Sequence, residues 1–236
     1  MTSATHWCRP ARFATGQPMT SVIHLRDVVA LLGGFPALTG VDLDVSAGEL
    51  VALVGANGAG KTTVLRLCAG LVPVASGTAQ VLGEDLGRNA RAVRSRVGLL
   101  GPSGGLYDEL TASDNLRFFA RAARVDPTDV ERAAERFGIT GRIGATPVGR
   151  LSTGQRRRVA LASLVARRAE LWLLDEPHAG LDAEGRDLLD SVVRSAVAAG
   201  ATVVIASHDL DRTEGLGCRH VTLAGGSVTH GGDHAA

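Results

Sequence analysis

Gly55-Ala56-Asn57-Gly58-Ala59-Gly60-Lys61-Thr62-Thr63 is the stretch from which the rest of the chain is read. It satisfies G-x-x-x-x-G-K-[ST] and follows the apolar run Leu50-Val51-Ala52-Leu53-Val54. That run predicts a buried strand, and Thr62 onward through Ala69 predicts a helix. Strand, glycine loop and helix in this order make a phosphate site. The glycines let backbone N–H groups turn toward one point, where the helix N-terminus adds unpaired donors and partial positive charge. Lys61 is expected to reach the β- and γ-phosphates, and the Thr62 hydroxyl to ligate Mg²⁺. A glycine-rich turn with no ligand would not need Gly60, Lys61 and Thr62 in that sequence.

Three further segments bear on the use made of the phosphate. Leu151-Ser152-Thr153-Gly154-Gln155 leads into Arg156-Arg157-Arg158-Val159-Ala160-Leu161-Ala162. Hydroxyls before a glycine suit a helix cap, and a helix start is another place for an anion. A capped helix with a solvated basic face reads equally well, and the three arginines are expected at the surface rather than as a nucleic-acid stripe. Leu171-Trp172-Leu173-Leu174-Asp175-Glu176-Pro177 predicts a buried strand with carboxylates at its C-terminal edge, where open α/β sheets bind ligands. Asp175 can hold Mg²⁺ through water, and Glu176 is placed to orient or deprotonate an attacking water. Thr202-Val203-Val204-Ile205-Ala206-Ser207-His208 is a third such strand, which makes His208 a candidate to touch the γ-phosphate.

Together these segments resemble the ATP-binding cassette ATPases. Gly55 to Thr62 is similar to their Walker A loop, and Leu151 to Gln155 to their signature LSGGQ, with Thr153 in place of one glycine. Leu171 to Glu176 is similar to Walker B with its catalytic glutamate, Ala179-Gly180-Leu181-Asp182 to the D-loop, and His208 to the switch histidine. The resemblance implies an α/β P-loop NTPase with a RecA-like core sheet, an N-terminal antiparallel β subdomain flanking adenine, and an inserted helical subdomain. It implies ATP and Mg²⁺ as ligands and catalysis by Glu176 and His208. It also implies a head-to-tail homodimer or heterodimer in which Leu151, Ser152, Thr153, Gly154 and Gln155 contact the ATP of the other subunit. A membrane-spanning transporter subunit is the implied partner, at the cytoplasmic face of the cell membrane. The cassette would occupy residues 19–230, with the helical insert at about 101–168 and a tail at 231–236.

Two positions depart from the family pattern. Ser103 stands where the family has a glutamine that helps hold Mg²⁺, so a water bridge is expected there. Leu32 stands where the family stacks an aromatic on adenine, with Phe35 nearby as a substitute. The wording around the signature and Walker B is similar to the haem-exporter ATPases of cytochrome c maturation. Drug and lipid exporter ATPases share most of these features. Two other classes stand beside the exporters: a soluble cassette ATPase, and a weakly hydrolysing nucleotide-dependent binding module that the missing glutamine would permit.

Composition agrees with one cassette. The chain of 236 residues is 45% hydrophobic with a net charge of +1, so electrostatics implies no nucleic acid partner. At 3%, aromatics are too scarce for stacking on bases. No run approaches the ~18 apolar residues that span a bilayer, so a transporter ATPase of this kind would take its membrane domain from another chain. Cys8, Cys68 and Cys218 have no metal spacing and read as reduced thiols. Residues 1–18 lack both hydrophobic period and the apolar centre of a signal peptide. They are expected to be a disordered extension, or Met19 to be the true start.

The remaining segments are read more coarsely. Val22, Ile23, Leu25, Val28 and Val29 read as a strand, and Val41-Asp42-Leu43-Asp44-Val45 alternates as a half-buried one. A strand is expected near Val97-Gly98-Leu99-Leu100, and helices from Thr111 to Ala120 and from Pro127 to Phe137. Gly138 to Gly149 is expected to be a glycine-rich connection.

Overall fold

The computed structural model describes residues 21–101 and 104–231. The expectations for residues 1–18, for Ser103 and for the tail beyond Gly231 lie outside the described residues. The chain opens with strands β1 (Ser21–Leu32), β2 (Phe35–Ser46) and β3 (Leu50–Val54), then helix α1 (Lys61–Cys68). Next come β4 (Ser76–Val81), β5 (Glu84–Asp85), α2 (Leu86–Arg94) and β6 (Val97–Leu100). Helices α3 (Ala112–Ala123), α4 (Pro127–Arg136) and α5 (Gly141–Gly144) follow, with a 3₁₀ turn at Val148–Arg150 before α6 (Thr153–Ala166). The last described elements are β7 (Leu171–Asp175), α7 (Ala183–Ala198), β8 (Thr202–Ala206), α8 (Leu210–Gly215), β9 (Arg219–Ala224) and β10 (Ser227–Gly231).

Two sheets form. The smaller is antiparallel, in the order β2-β1-β4-β5. The larger runs β10-β9-β3-β8-β7-β6, with β9 through β6 parallel and β10 antiparallel at the edge. Parallel strands need both faces covered, and the side-chain alternation shows that they are. Leu171 and Leu173 of β7 enter a core shared with α1, α2 and the antiparallel sheet. Trp172 and Leu174 enter a second core with α3, α4, α6 and α7. Val204 and Ala206 of β8 go to the first, Val203 and Ile205 to the second. The α/β architecture with an antiparallel sheet and helical parts is therefore the observed one.

Local chemistry sets the helix starts. Thr111 caps α3 by accepting from the Asp114 N–H, and Asp126 caps α4 ahead of Pro127. Proline at a first helical position loses no hydrogen bond. At α6, the Ser152 hydroxyl accepts from the Gln155 N–H, while the Gln155 side chain accepts from the Ser152 N–H. This reciprocal capping box satisfies two donors that would otherwise lack partners. The expected connection from Gly138 to Gly149 is corrected: it holds α5 and the 3₁₀ turn, with Thr146 hydroxyl bonded to Arg142 O at 2.7 Å. Gly231 belongs to β10 rather than to a tail.

Candidate functional site

The loop from Gly55 to Gly60 lies between β3 and α1, at the C-terminal edge of a central strand. Gly55 and Gly60 are required there on two counts. Their φ values are +146° and +104°, which L side chains rarely adopt. A Cβ on Gly55 would stand 2.2 Å from Leu223 O, and one on Gly60 would stand 3.0 Å from Leu38 Cδ2. The β9–β10 turn braces the loop from outside. The Gly226 N–H donates to Ala59 O at 3.2 Å, and the Thr39 N–H donates to Gly226 O at 2.9 Å. The Thr39 hydroxyl adds a bond to Gly225 O at 3.1 Å.

Lys61 is only 7% exposed. Its ammonium donates to Gly55 O at 2.7 Å and Ala56 O at 3.1 Å, so it folds back across the loop. The Thr62 hydroxyl donates to Asp175 Oδ2 at 2.9 Å, joining α1 to the end of β7. Asp175 is buried. These two oxygens suit a small hard cation, since Mg²⁺ binds through one or two protein ligands and fills the rest of its shell from water and phosphate. No cluster of three or more His, Cys, Asp or Glu that could hold a metal occurs among the described residues. Ser103, the third residue assigned to the metal, lies outside them.

An open cleft of about 570 Å³ surrounds these groups, a size ordinary for a ligand site. Asn57, Gly58, Ala59, Gly60, Lys61, Thr62 and Thr63 line it, with Asp175, Glu176 and Leu32. Phe35 pairs with Leu32 across the β1–β2 turn, but it is 77% exposed and does not border the cleft. At the cleft's edge, His208 Nδ1 lies 2.9 Å from Glu176 Oε1. Glu176 itself has φ +45°, a left-handed backbone for a residue that is not glycine.

The expectation that Arg156, Arg157 and Arg158 are all surface charges is corrected at Arg157. That side chain is 6% exposed and points inward from α6. Burial pulls its guanidinium down from its ordinary value, while the charges of Asp175 and Glu176 oppose the shift. Four carbonyls satisfy it. Nε donates to Pro177 O at 3.2 Å and Nη1 to Gly101 O at 2.8 Å; Nη2 serves Asp175 O at 2.8 Å and Glu176 O at 2.5 Å. Arg156 and Arg158 stay at the surface, on Asp108 and Asp182 respectively.

Leu151, Ser152, Thr153, Gly154 and Gln155 do not line the phosphate cleft. Ser152 to Gln155 share a separate hollow of about 510 Å³ with Arg158, Gly180 and Asp182. Leu181 is buried beside it, and Asp182 caps α7 by accepting from the Gly185 N–H. That bond first, and Arg158 second, hold the Asp182 carboxyl below the usual carboxylate range.

The sequence profile of the ABC transporter family matches residues 38–179. A cytochrome c biogenesis ATP-binding export protein, CcmA, of Cupriavidus pinatubonensis is 39% identical over 201 residues, 83% of this chain and 87% of that protein. A Nod factor export ATP-binding protein I of Cupriavidus metallidurans is 32% identical over 221 residues, 92% of this chain and 73% of that protein. A solved ATP-binding subunit of an ABC transporter superposes with a TM-score of 0.82 at 27% identity, over 90% of each chain. The chain belongs to the ABC transporter family. Within it the chain is an ATPase domain, and no helix of its described residues is long and apolar enough to cross a membrane.

Sequence reasoning missed two groups in this ABC ATPase domain. One is Arg157. The other is His178, buried just after Pro177, whose Nε2 meets Asp190 Oδ1 at 2.7 Å. Asp190 Oδ2 in turn accepts from Arg212 of α8 at 2.7 Å. The phase of α6 was the available signal for Arg157. It stands three and four positions before the buried Ala160 and Leu161, on the inward face.

Proposed function

We propose that this ABC ATPase powers a separate membrane-spanning subunit and that the transported compound is haem for cytochrome c assembly. The observation that carries the haem reading is the match to the CcmA relative, which extends over 87% of that protein's own length. The chemistry follows from the cleft. The loop N–H groups and Lys61 would hold the phosphates, Lys61 exchanging its two carbonyl contacts for phosphate oxygens. Thr62 and Asp175 would hold Mg²⁺, which shields phosphate charge when bound, with Ser103 contributing through water. Glu176 would orient the attacking water, and His208 would steady the Glu176 carboxylate while reaching the γ-phosphate. Leu32 would pack on adenine.

The separation of the two hollows supports a head-to-tail pair. Residues Ser152 to Gln155 do not line the same chain's phosphate cleft, so a second cassette would bring its own signature helix to each ATP. Thr153 and Gly154 at the start of α6 offer N–H groups for that contact. The helices α3 to α5 would meet the membrane partner, at the cytoplasmic face.

A test is complementation of a bacterium that lacks its haem-export ATPase, with this chain and its membrane subunit supplied together. Restored haem-stained cytochrome c is the expected result. If no cytochrome c matures while ATP hydrolysis is intact, the haem reading is overturned. Nod factor export is the second reading, favoured by the relative that matches 92% of this chain.

A further inference from the structure

Glu176 occupies a costly backbone conformation. A left-handed φ places the Cβ of a non-glycine residue too close to the carbonyl oxygen. Such residues persist only where the surroundings over-determine them. At Glu176 the surroundings are specific. Its N–H donates to Ala206 O of β8 at 2.9 Å, and its carbonyl accepts from Arg157 Nη2 at 2.5 Å. The same guanidinium holds the carbonyls of Asp175 and Pro177 on either side. Three consecutive peptide units are thus gripped by one planar side chain. Its remaining donor, Nη1, reaches Gly101 O beyond β6.

The geometry points to Arg157 as the positioning residue that fixes where the Glu176 carboxylate stands in the phosphate cleft. Its bonds run neither to the phosphate loop nor to Lys61 but to the carbonyls of the β7 exit and of Gly101, so it acts on Glu176 through the backbone. A guanidinium presents its donors in a fixed fork, so the four carbonyls are held at set relative positions. Arg157 also sits on α6, the helix whose first turn carries Ser152 to Gln155. Any displacement of that helix moves the grip on Glu176 with it. The inference rests on the water-orienting role proposed for Glu176.

The test compares Arg157→Gln, Glu176→Gln and the double variant in steady-state ATP hydrolysis, with melting temperature and ATP affinity measured alongside. Arg157→Gln is expected to lower kcat by on the order of tenfold to a hundredfold, the cost of a misplaced catalytic group. ATP affinity should stay within about twofold, because uniform binding is untouched. Adding Arg157→Gln to Glu176→Gln should cause no further loss, since residues acting as one unit are not additive. A merely structural arginine would give losses that multiply, or a matched loss of affinity, and either result overturns the role. So would a folded Arg157→Gln at the parent kcat beside an inactive Glu176→Gln. Parent activity in Glu176→Gln itself removes the role of Glu176, and this inference with it. Arg157→Lys keeps the charge without the fork and should remain slow; recovery to the parent rate would assign the effect to charge and overturn positioning. Should Arg157→Gln fail to fold, the lysine variant carries the same kinetic comparison.

Discussion

His208 meets Glu176, Nδ1 to Oε1 at 2.9 Å, just beyond the C-terminal ends of the neighbouring strands β8 and β7. The histidine is 71% exposed, and the Glu176 carboxylate is the partner that its ring meets. One of its nitrogens is therefore engaged by the carboxylate, on a side chain that is otherwise largely exposed.

Replacing His208 by Ala should lower kcat by about a hundredfold, within the range for a positioned proton-transfer or orienting group. ATP binding should be unchanged, as measured by fluorescent-nucleotide titration. Hydrolysis at the parent rate in this variant would remove His208 from the chemistry.

Lys61→Ala should weaken ATP binding by at least about tenfold while the fold persists, because charge-assisted hydrogen bonds to phosphate are strong. The variant also frees the carbonyls of Gly55 and Ala56, residues that are not buried and can take water. Equal nucleotide affinity in calorimetry for parent and variant would refute the phosphate-site assignment.

Gly55→Ala should destabilise the chain by about 2 kcal/mol or more, through overpacking and an unfavourable φ together. The added methyl group would collide with Leu223 O, a backbone atom with no rotamer to yield. Urea denaturation reads the effect, and a stability equal to the parent's would show that the loop and β9 are not in register as described.

Asp190→Ala should cost about 3 kcal/mol, the expectation for stripping one partner from a buried charged cluster. It leaves His178 without its Nε2 partner and removes the Arg212 contact from α8. Asp187 keeps Arg212 partly satisfied, so the loss should fall at the low end of the buried-pair range. A change below about 1 kcal/mol, the size of an exposed pair, would count against a buried network.

Asp182 links stability to pH. Its folded carboxyl value is depressed below 3.8, so its charge stabilises above that value and the benefit is lost as the pH falls through the folded value. The melting-temperature gap between the parent and Asp182→Asn should be open at pH 7, narrow below 3.8 and close at lower pH. A gap that is the same at every pH would assign the effect to shape rather than charge.

The parts of this fold that could be read directly are those where one residue type has one structural meaning. β3, β7 and β8 are largely apolar runs buried on both faces, and they lead into the phosphate loop, the Asp175-Glu176 carboxylates and His208 respectively. The starts of α3, α4 and α6 are written in Thr111, Asp126-Pro127 and Ser152-Gln155. β4 was illegible because only Ala79 and Val81 of Ser76–Val81 are buried, leaving two apolar positions beside a glycine and hydroxyls. β9 was illegible for a different reason: Arg219, His220 and Thr222 mask a strand that exists by pairing with β3. Arg157 was hidden by its neighbours. Arg156 and Arg158 make a basic run that looks solvated, and only the helix phase separates the middle residue from the outer two.

The brace on the phosphate loop joins residues very far apart in sequence, with Thr39 and Gly225 separated by 186 positions. Contacts of such range form late, because the loop they close must be gathered first. A ribosome making this chain releases Ala59, Lys61 and α1 well before the turn that braces their loop. Competence to seize nucleotide thus waits for the β9–β10 turn, and a cassette without it would offer ATP a slack noose rather than a socket.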